Sequence, residues 1–454
     1  MQKRLLRRAA VAGLAFGLIA AACGDDSSES DSSPTTAGGA STTAAGSATT
    51  ASGAVTTAGG AATTAGAPKN TTGFDGTTIK VGMIAALSGP VSGPIGIPIA
   101  NGNRVFFEAL NKAGGIGGKY KVQLVEADSK YDVAETAKQY GAIKDQVVGI
   151  TQVIGTPMVQ GLLQTLSEDK VLVQPATLDS IWYKEQYLMP ILAPYQIQAI
   201  NGIGYYVQQN GKDKKVCALT MDSAYGEAGL EGATFAAQQL GITLASKQLH
   251  KQGDTDFTAQ INALRDAKCD AVWLTSLPSE TANIIGRAVQ ANFKTQWIAQ
   301  SPTWNNLFVL APIAPYLKDN FWWVSDASQW GDTSLKGMSK MIDDIKASSL
   351  ASQIKPDPYF TFGYLEAWAY AQVLEQAVKG GDLSRAGVLK ALNSVGTVKF
   401  DGLASDQTVG DPSKRNPSRT VAIFKVTPES GGTNGGLTPV ATNVSIDAAK
   451  AFKF

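Results

Sequence analysis

The sequence predicts an α/β protein made of two doubly wound lobes, and three observations support this. From Ile79 onward, short β-branched runs alternate with helical patterns of about 12 to 16 residues. The alternation begins again near Tyr195, as expected for a second half of the same kind. A late strand and a long helix follow the second half, which indicates that the chain returns to the first lobe. Each lobe is therefore predicted to be Rossmann-like.

The first half contains four predicted strands separated by helices. The second helix places Val133, Ala137, Tyr140 and Ile143 on one face. Nearly continuous apolar strands that alternate with amphipathic helices are typical of a parallel sheet covered on both sides. The strands are predicted at residues 79–85, 121–127, 147–154 and 170–175.

The second half repeats this pattern after a helix at 200–211. A later helix carries Phe257, Ile261 and Leu264 on one face. The late strand at 320–326 and the long helix at 359–378 complete the pattern. The strands of this half are predicted at residues 215–221, 242–248, 270–276 and 295–301.

The N-terminus reads as an export signal followed by a spacer. Residues 1–22 combine four basic residues with an apolar run too short to cross a bilayer. Ala20, Ala21 and Ala22 precede Cys23, a pattern that resembles the lipobox of bacterial lipoproteins, in which the cysteine carries the lipid. The alternative is an ordinary signal peptide with a free Cys23. The segment 23–76, rich in Ser, Thr, Ala and Gly, is predicted to be a disordered tether.

Charge and cysteine content limit the partners. The chain has 39 basic and 38 acidic residues, a net charge of +1, and no basic run beyond the signal, so nucleic acid is not an expected partner. Cys217 and Cys269 both lie in or beside predicted buried strands. They are either a disulfide pair, as an oxidising exterior permits, or two buried free cysteines.

Signatures of catalysis and of cofactor binding are missing from the sequence. His250 is the only histidine, in a Lys-flanked segment where a solvated position is expected. No Cys/His cluster has metal-binding spacing, and neither a phosphate loop nor a nucleophile elbow occurs. The Gly-rich run 114–119 follows a helix and precedes a strand, so it is predicted to be a turn. We therefore predict a protein that is not an enzyme and has no cofactor or metal.

One turn has the chemistry of an anion site. Gly155, Thr156 and Pro157 stand where a predicted strand gives way to a helix. Thr is a favoured N-cap and Pro a favoured first helical residue, and such a turn presents free N–H groups to the solvent side. Thr156 either contacts a bound anion or only caps its own helix.

The ordered motifs of the chain resemble the branched-chain amino-acid-binding proteins of bacterial ABC importers. The resemblance rests on the sequence LSGP at 87–90, the NKAGGIGGK turn, Asp128 after the second strand, VLVQPATLDS at 171–180 and TMDSAYGEAGLEGA at 220–233. It implies a monomer with the type I periplasmic-binding fold, whose hinge has three crossovers. Lobe 1 would comprise 77–194 and 325–400, and lobe 2 would comprise 195–324 and 401–454.

The resemblance also implies a set of ligand-binding residues. The ligand carboxylate would be held by Gly155 and Thr156 after the third strand and by Ala176 and Thr177 after the fourth. The sequence QSPTWNN replaces an acidic residue that binds the ligand amine in some family members, which favours a larger apolar or aromatic ligand. The other candidates implied for the cleft, some of which could equally have structural roles, are Ser88, Asp222, Tyr225, Trp304 and Trp330.

The implied function is capture of a solute outside the cytoplasm. The protein would be exported, held by its lipid to the outer face of the cell membrane, and would present a small carboxylate-bearing ligand to an ABC permease. A ligand-sensing receptor component with the same fold and no transport role is the alternative.

Overall fold

The computed structural model describes residues 66–454, and the predicted signal peptide, Cys23 and most of the predicted tether lie outside this range. The nine strands predicted from the pattern are all present within a few residues of their expected bounds. The strands are β1 Thr78–Ala85, β2 Lys121–Asp128, β3 Ile150–Ile154, β4 Val173–Ala176, β5 Val216–Met221, β6 Leu244–His250, β7 Ala271–Thr275, β8 Gln296–Gln300, β9 Phe321–Ser325, β10 Thr397–Val398, β11 Gln407–Thr408, β12 Val421–Val426 and β13 Leu437–Val444.

The helices alternate with the strands through both halves of the described chain. Several begin at a side-chain N-cap, such as Asp132 and Ser223. The helices are α1 Ile97–Lys112, α2 Val133–Ile143, α3 Thr156–Asp169, α4 Tyr195–Asn210, α5 Ala224–Leu240, α6 Thr258–Asp266, α7 Pro278–Gln290, α8 Ala314–Asn320, α9 Lys336–Ala347, α10 Pro358–Lys379, α11 Arg385–Val395 and α12 Asp447–Ala451.

The first lobe is built on a parallel sheet with strand order β2-β1-β3-β4. Helices α1 and α10 pack on one face, where Phe106 and Tyr364 meet edge to face. Helices α2 and α3 pack on the other face through Tyr140 and Leu162. Strands that are apolar on both faces need this double cover, which explains the pattern in the sequence.

The second lobe has the larger sheet, with strand order β13-β12-β9-β8-β7-β5-β6. Strands β5 to β9 run parallel, whereas β12 pairs antiparallel with both β9 and β13. Helices α4 and α5 cover one face, and α6, α7 and α8 cover the other. The predicted fold class, two doubly wound α/β lobes, is confirmed.

The chain passes between the lobes at residues that the core contacts identify. Strand β9 belongs to the second sheet, and α9 to α11 pack with the first lobe. Phe400, Leu403 and Val409 are buried in the core of the first lobe, and β12 pairs with β9 in the second. The boundaries predicted from sequence stay a prediction, and these contacts favour a third crossover after Val409 rather than at Asp401.

Cys217, Cys269 and His250 are all buried in lobe 2. A disulfide joins Cys217 of β5 to Cys269 next to β7, with the Cα atoms 5.8 Å apart. His250 ends β6 with 2% of its surface exposed, and its ring packs against Phe257. The expectation of a solvated His250 is therefore wrong, because the strand extends two residues beyond its predicted end at residue 248.

Candidate functional site

A cavity lies between the two lobes, at the carboxyl ends of strands from both sheets. Ala176, the last residue of β4, lines the cavity from the first sheet. Trp323 and Ser325 of β9 line it from the second sheet. The centre of a water-sized sphere can occupy about 60 Å³ of this cavity. One water needs roughly 10–15 Å³ on that measure, so the space suits several waters or a small ligand. Open α/β sheets bind ligands at this end of their strands.

The wall of the cavity is predominantly apolar. Among the described residues that line it, none carries a charged side chain, and the polar contributions come from Tyr195, Ser301, Ser325, Tyr359 and Thr361. An isolated charge would be costly to bury against such a wall. Most of the apolar surface comes from Ile95, Ile99, Leu178, Leu192, Phe362 and Leu365.

The start of α3 differs from the prediction in one respect. Gly155, not Thr156, is the N-cap, with φ of 96°, and Thr156 and Pro157 are the first two helical residues. A side chain at position 155 would strain this backbone, and an added Cβ would lie 2.1 Å from Met158. The Thr156 hydroxyl makes no capping bond. The proposal that Thr156 caps its own helix is therefore wrong.

The Thr156 hydroxyl instead faces the next strand end. Its Oγ1 lies 2.6 Å from Oγ1 of Thr177, and both residues are buried. The Thr177 hydroxyl in turn lies 3.4 Å from the phenol oxygen of Tyr195, which lines the cavity. Two hydroxyls in contact satisfy one donor only, so this cluster, defined by Thr156, Thr177 and Tyr195, retains hydrogen-bonding capacity next to the cavity.

Tyr225 of the second lobe covers this hydroxyl cluster. Its ring lies edge to face on Tyr195, with centroids 5.1 Å apart, and its phenol donates to the Ser276 carbonyl at 3.1 Å. Burial raises the pKa of Tyr195 to about 12, and the pKa of Tyr225 rises well above its usual value for the same reason. Both phenols therefore stay neutral hydrogen-bonding groups at physiological pH.

A second group of contacts between the lobes borders the cavity on the α10 side. The phenol of Tyr359, which has one O–H to donate, lies 2.7 Å from the Trp304 carbonyl and 3.0 Å from the Ser301 carbonyl. The amide of Asn306 donates to the Pro356 carbonyl at 3.2 Å and to the Asp357 carboxyl at 3.2 Å. We call these contacts the α10 latch, because they bind α10 of lobe 1 to the segment that follows β8 in lobe 2.

Of the nine predicted ligand residues, only Ala176 is part of the cavity wall; Gly155, Thr156, Thr177 and Tyr225 lie outside it, as do the other four. Ser88 is exposed and donates from its hydroxyl to Asp128 at 2.5 Å. Asp222 is exposed beside the end of β5. Trp304 is fully buried in the core of lobe 2 and donates to the Gly435 carbonyl at 3.2 Å. Trp330 is half-buried against Phe360.

The Ser88 loop is fixed by the carboxylate of Asp128. Burial raises the pKa of Asp128, but hydrogen bonds from the Ser88 side chain and from backbone N–H groups outweigh it, so the pKa is lowered. The carboxylate therefore stays charged and holds the loop.

Most of the cavity-lining residues that the sequence patterns did not identify lie near the starts of helices. Ile95 and Ile99 follow β1, so the rule that ligands bind at strand ends could have identified them. Tyr359, Phe362 and Leu365 begin α10, which follows no strand of the first sheet, and no sequence pattern connects them with the cleft. Within residues 66–454, no helix is long and apolar enough to span a membrane, and no group of three or more metal-ligating side chains occurs.

The family model described as "Periplasmic binding protein" matches residues 78–433, which is most of the chain. This chain belongs to the periplasmic binding protein family. The match covers both lobes and the cavity between them, so the predicted family is confirmed.

Two curated relatives carry the Leu/Ile/Val-binding name. Leu/Ile/Val-binding protein homolog 3 of Brucella melitensis is 30% identical over 209 residues, which are 44% of this chain and 55% of the relative. Leu/Ile/Val-binding protein BraC3 of Rhizobium johnstonii is 26% identical over 353 residues, which are 73% of this chain and 86% of the relative. This chain thus spans about half of the first relative and most of the second.

Solved structures share the fold over most of their length. A fatty acid ABC transporter substrate-binding protein from Thermomonospora curvata has a TM-score of 0.78 at 24% identity, covering 85% of this chain and 97% of that one. A branched chain amino acid ABC transporter protein from Thermus thermophilus with bound valine has a TM-score of 0.71 at 18% identity, with coverages of 82% and 98%.

Proposed function

We propose that this periplasmic binding protein is the extracytoplasmic substrate-binding component of an ABC importer and closes on a small apolar carboxylic acid. The observation that carries the proposal is the apolar cavity between the lobes, with the hydroxyl cluster of Thr156, Thr177 and Tyr195 at its side. A protein that binds between two lobes uses their closure to present the ligand to its partner.

The chemistry of the cavity favours an apolar acid over a plain α-amino acid. A carboxylate requires hydrogen-bond donors, which the hydroxyl cluster and the N–H groups at the start of α3 supply. An ammonium group requires a carboxylate or several acceptors, and the described lining residues include no acid. The structural relatives support both ligand classes, because one is a fatty acid transporter protein and the other was solved with bound valine.

The proposal includes the place where the protein works. The export signal and Cys23 of the sequence support secretion and a lipid anchor on the outer face of the membrane. The membrane partner would be an ABC permease, as the names of the structural relatives suggest. The protein itself would act by binding and not by catalysis.

Substitution of Thr156 tests the proposed carboxylate site. Thr156→Val keeps the shape and removes the hydroxyl, so we expect the affinity for octanoate, measured by calorimetry, to fall about tenfold to a hundredfold. Thr156→Ser restores the hydroxyl and should bind octanoate nearly as the parent does. Thr136→Val is the matched control, because Thr136 is equally buried but bonds only to Asp132 within α2.

Two results would contradict the proposal. If the parent binds none of octanoate, leucine and phenylalanine, and native mass spectrometry finds no co-purified acid, the proposed substrate class is wrong. If Thr156→Val binds octanoate as tightly as the parent, the carboxylate site lies elsewhere in the cleft.

A further inference from the structure

Lobe 1 contains a buried polar cluster between its sheet and helices α1 and α10. Asn103 of α1 donates from its amide to Gln152 of β3 at 3.1 Å and to Glu366 of α10 at 3.5 Å. Gln174 of β4 lies beside Gln152, because residues 151 and 152 stand opposite this one residue where the register of β3 and β4 shifts. All four side chains have no exposed surface.

This cluster leaves an unusual number of polar atoms unpaired. Gln152 Nε2, Glu366 Oε1 and both amide atoms of Gln174 are buried and make no hydrogen bond within the described chain. Burying a polar atom without a hydrogen bond costs desolvation free energy, and native proteins pair nearly all of their buried polar atoms. Four unpaired atoms on three neighbouring side chains indicate that something polar belongs there.

The cluster adjoins the wall of the ligand cavity on three elements. On α1, the wall residue Ile99 precedes Asn103 by one helical turn. On α10, Phe362 precedes Glu366 by the same step. On β4, Ala176 lines the cavity two residues after Gln174, on the same face of the strand.

The rise per residue along these elements gives the distance between the cavity wall and the cluster. Two residues of a strand or four of a helix span about 6–7 Å. Along β4, the distance from Thr177 in the hydroxyl cluster to Gln174 is about 10 Å. A linear acid of medium chain length with its carboxylate at Thr177 is therefore long enough to reach the cluster, which lies behind the side chains of the cavity wall.

The cluster is suited to a neutral group. Burial raises the pKa of the Glu366 carboxyl well above its usual value, against a smaller lowering effect of the Asn103 hydrogen bond. A neutral carboxyl and two primary amides both donate and accept hydrogen bonds, and no cation lies among the contacts of the cluster. Hydroxyl and carboxamide groups match this set better than a charged group does.

We propose that Gln152, Gln174 and Glu366 form a polar subsite that binds an uncharged hydroxyl or carboxamide at the far end of the ligand. This inference rests on the proposed function and narrows its substrate class to apolar acids with a second, neutral polar end. A buried site built to hydrogen-bond a hydroxyl discriminates strongly against the analogue that lacks it, because its own polar groups are then left unpaired.

Paired ligands test the subsite. Calorimetry with octanoate and 8-hydroxyoctanoate should show that the parent binds the hydroxy acid at least tenfold more tightly. Gln174→Met keeps the length of the side chain and removes both polar atoms, so it should abolish this preference. Gln139→Met, on the outer helix α2, is the matched control and should keep the preference.

A second variant protects the test against misfolding. If Gln174→Met fails to fold, Gln152→Met should weaken the preference in the same way. Glu366→Gln, which stays neutral and polar, should retain it. Crystals of the parent with the hydroxy acid should show its hydroxyl at Gln174.

Three outcomes would overturn the inference. The parent could bind both acids equally, or Gln174→Met could keep the preference. Crystals could also show the same ordered waters in the cluster with and without the hydroxy acid, so that the unpaired atoms belong to structural water alone. If neither acid binds, the proposed function fails and the inference fails with it, a result distinct from equal binding.

Discussion

At the scale of single residues, Asp326 at the hinge is expected to contribute to the pH dependence of stability. Asp326 follows β9 where the chain leaves lobe 2, and its carboxyl is buried with one oxygen unpaired. It accepts a hydrogen bond from Ser405 at 3.2 Å, and Ser418 and the backbone of Ala193 also contribute. Asp326 is therefore in contact with the segments of all three passages between the lobes.

The pKa of Asp326 predicts a specific pH dependence of stability. Burial raises this pKa to about 7, although the hydrogen bonds from Ser418, Ser405 and Ala193 oppose the shift. The folded protein then holds a proton between about pH 4 and 7 that the unfolded chain releases, so the free energy of unfolding falls as pH rises through this window. Asp326→Asn stays neutral at every pH and should lose this contribution.

We expect the melting temperature of Asp326→Asn to exceed that of the parent by a few degrees at pH 8 and to approach or fall below it at pH 4. Other buried acids such as Asp357 titrate in both proteins and cancel in the difference. A difference in melting temperature that is constant across pH 4–8 would mean that Asp326 does not titrate in this range.

At the scale of elements, α10 joins the two lobes. It packs along α1 in lobe 1, and its first turn carries Tyr359 of the α10 latch, which also lines the cavity. Closure of the lobes therefore forms direct hydrogen bonds in addition to contacts with ligand. A conformation stabilised in this way raises the population that is competent for tight binding.

Tyr359→Phe tests the α10 latch. The change leaves the ring in place and removes the phenol O–H that faces two carbonyls of lobe 2, so we expect octanoate affinity to fall about tenfold while each lobe stays folded. Small-angle X-ray scattering should show a larger radius of gyration for the variant without ligand. The matched control is Tyr316→Phe, which loses a bond to Phe293 within lobe 2 alone. An unchanged radius together with unchanged affinity would exclude a latch.

At the scale of the whole molecule, the proposed lipid anchor rests on one residue, Cys23. If Cys23 carries the lipid, Cys23→Ser should move the protein from the membrane fraction to the soluble exported fraction, because serine has no thiol to which the lipid can be attached. Fractionation and mass spectrometry of the mature N-terminus measure this. Ser27→Ala is the control and should stay with the membrane. Full membrane retention of Cys23→Ser would refute the lipid anchor.

The fold class could be predicted from the sequence because the residue patterns that indicate strands and helices are local. Strands buried on both faces are continuously apolar, and the helices between them repeat every three to four residues, as in Val133 to Ile143. Strand β13 was missed because it is largely exposed or half-buried and lacks that apolar signal, whereas β12 carries the signal and was nevertheless not identified. The turn at Gly155 was identified, but the capping residue was displaced by one position, since φ above zero leaves no sequence signal except glycine itself.

The tertiary structure decided what the sequence could not, namely which side chains share a space. Thr156 and Thr177 lie 21 residues apart and touch because parallel strands end at one edge of a sheet, and it was the family resemblance that implied both of them. Trp304 and Trp330 had the composition of a ligand site but are packed in other places, because an aromatic residue fills a core as well as a cleft. The cavity wall from α10 and the cluster around Gln174 join segments about 190 residues apart in the chain. Such contacts follow from the packing of whole helices on a sheet, which no local pattern of residues records.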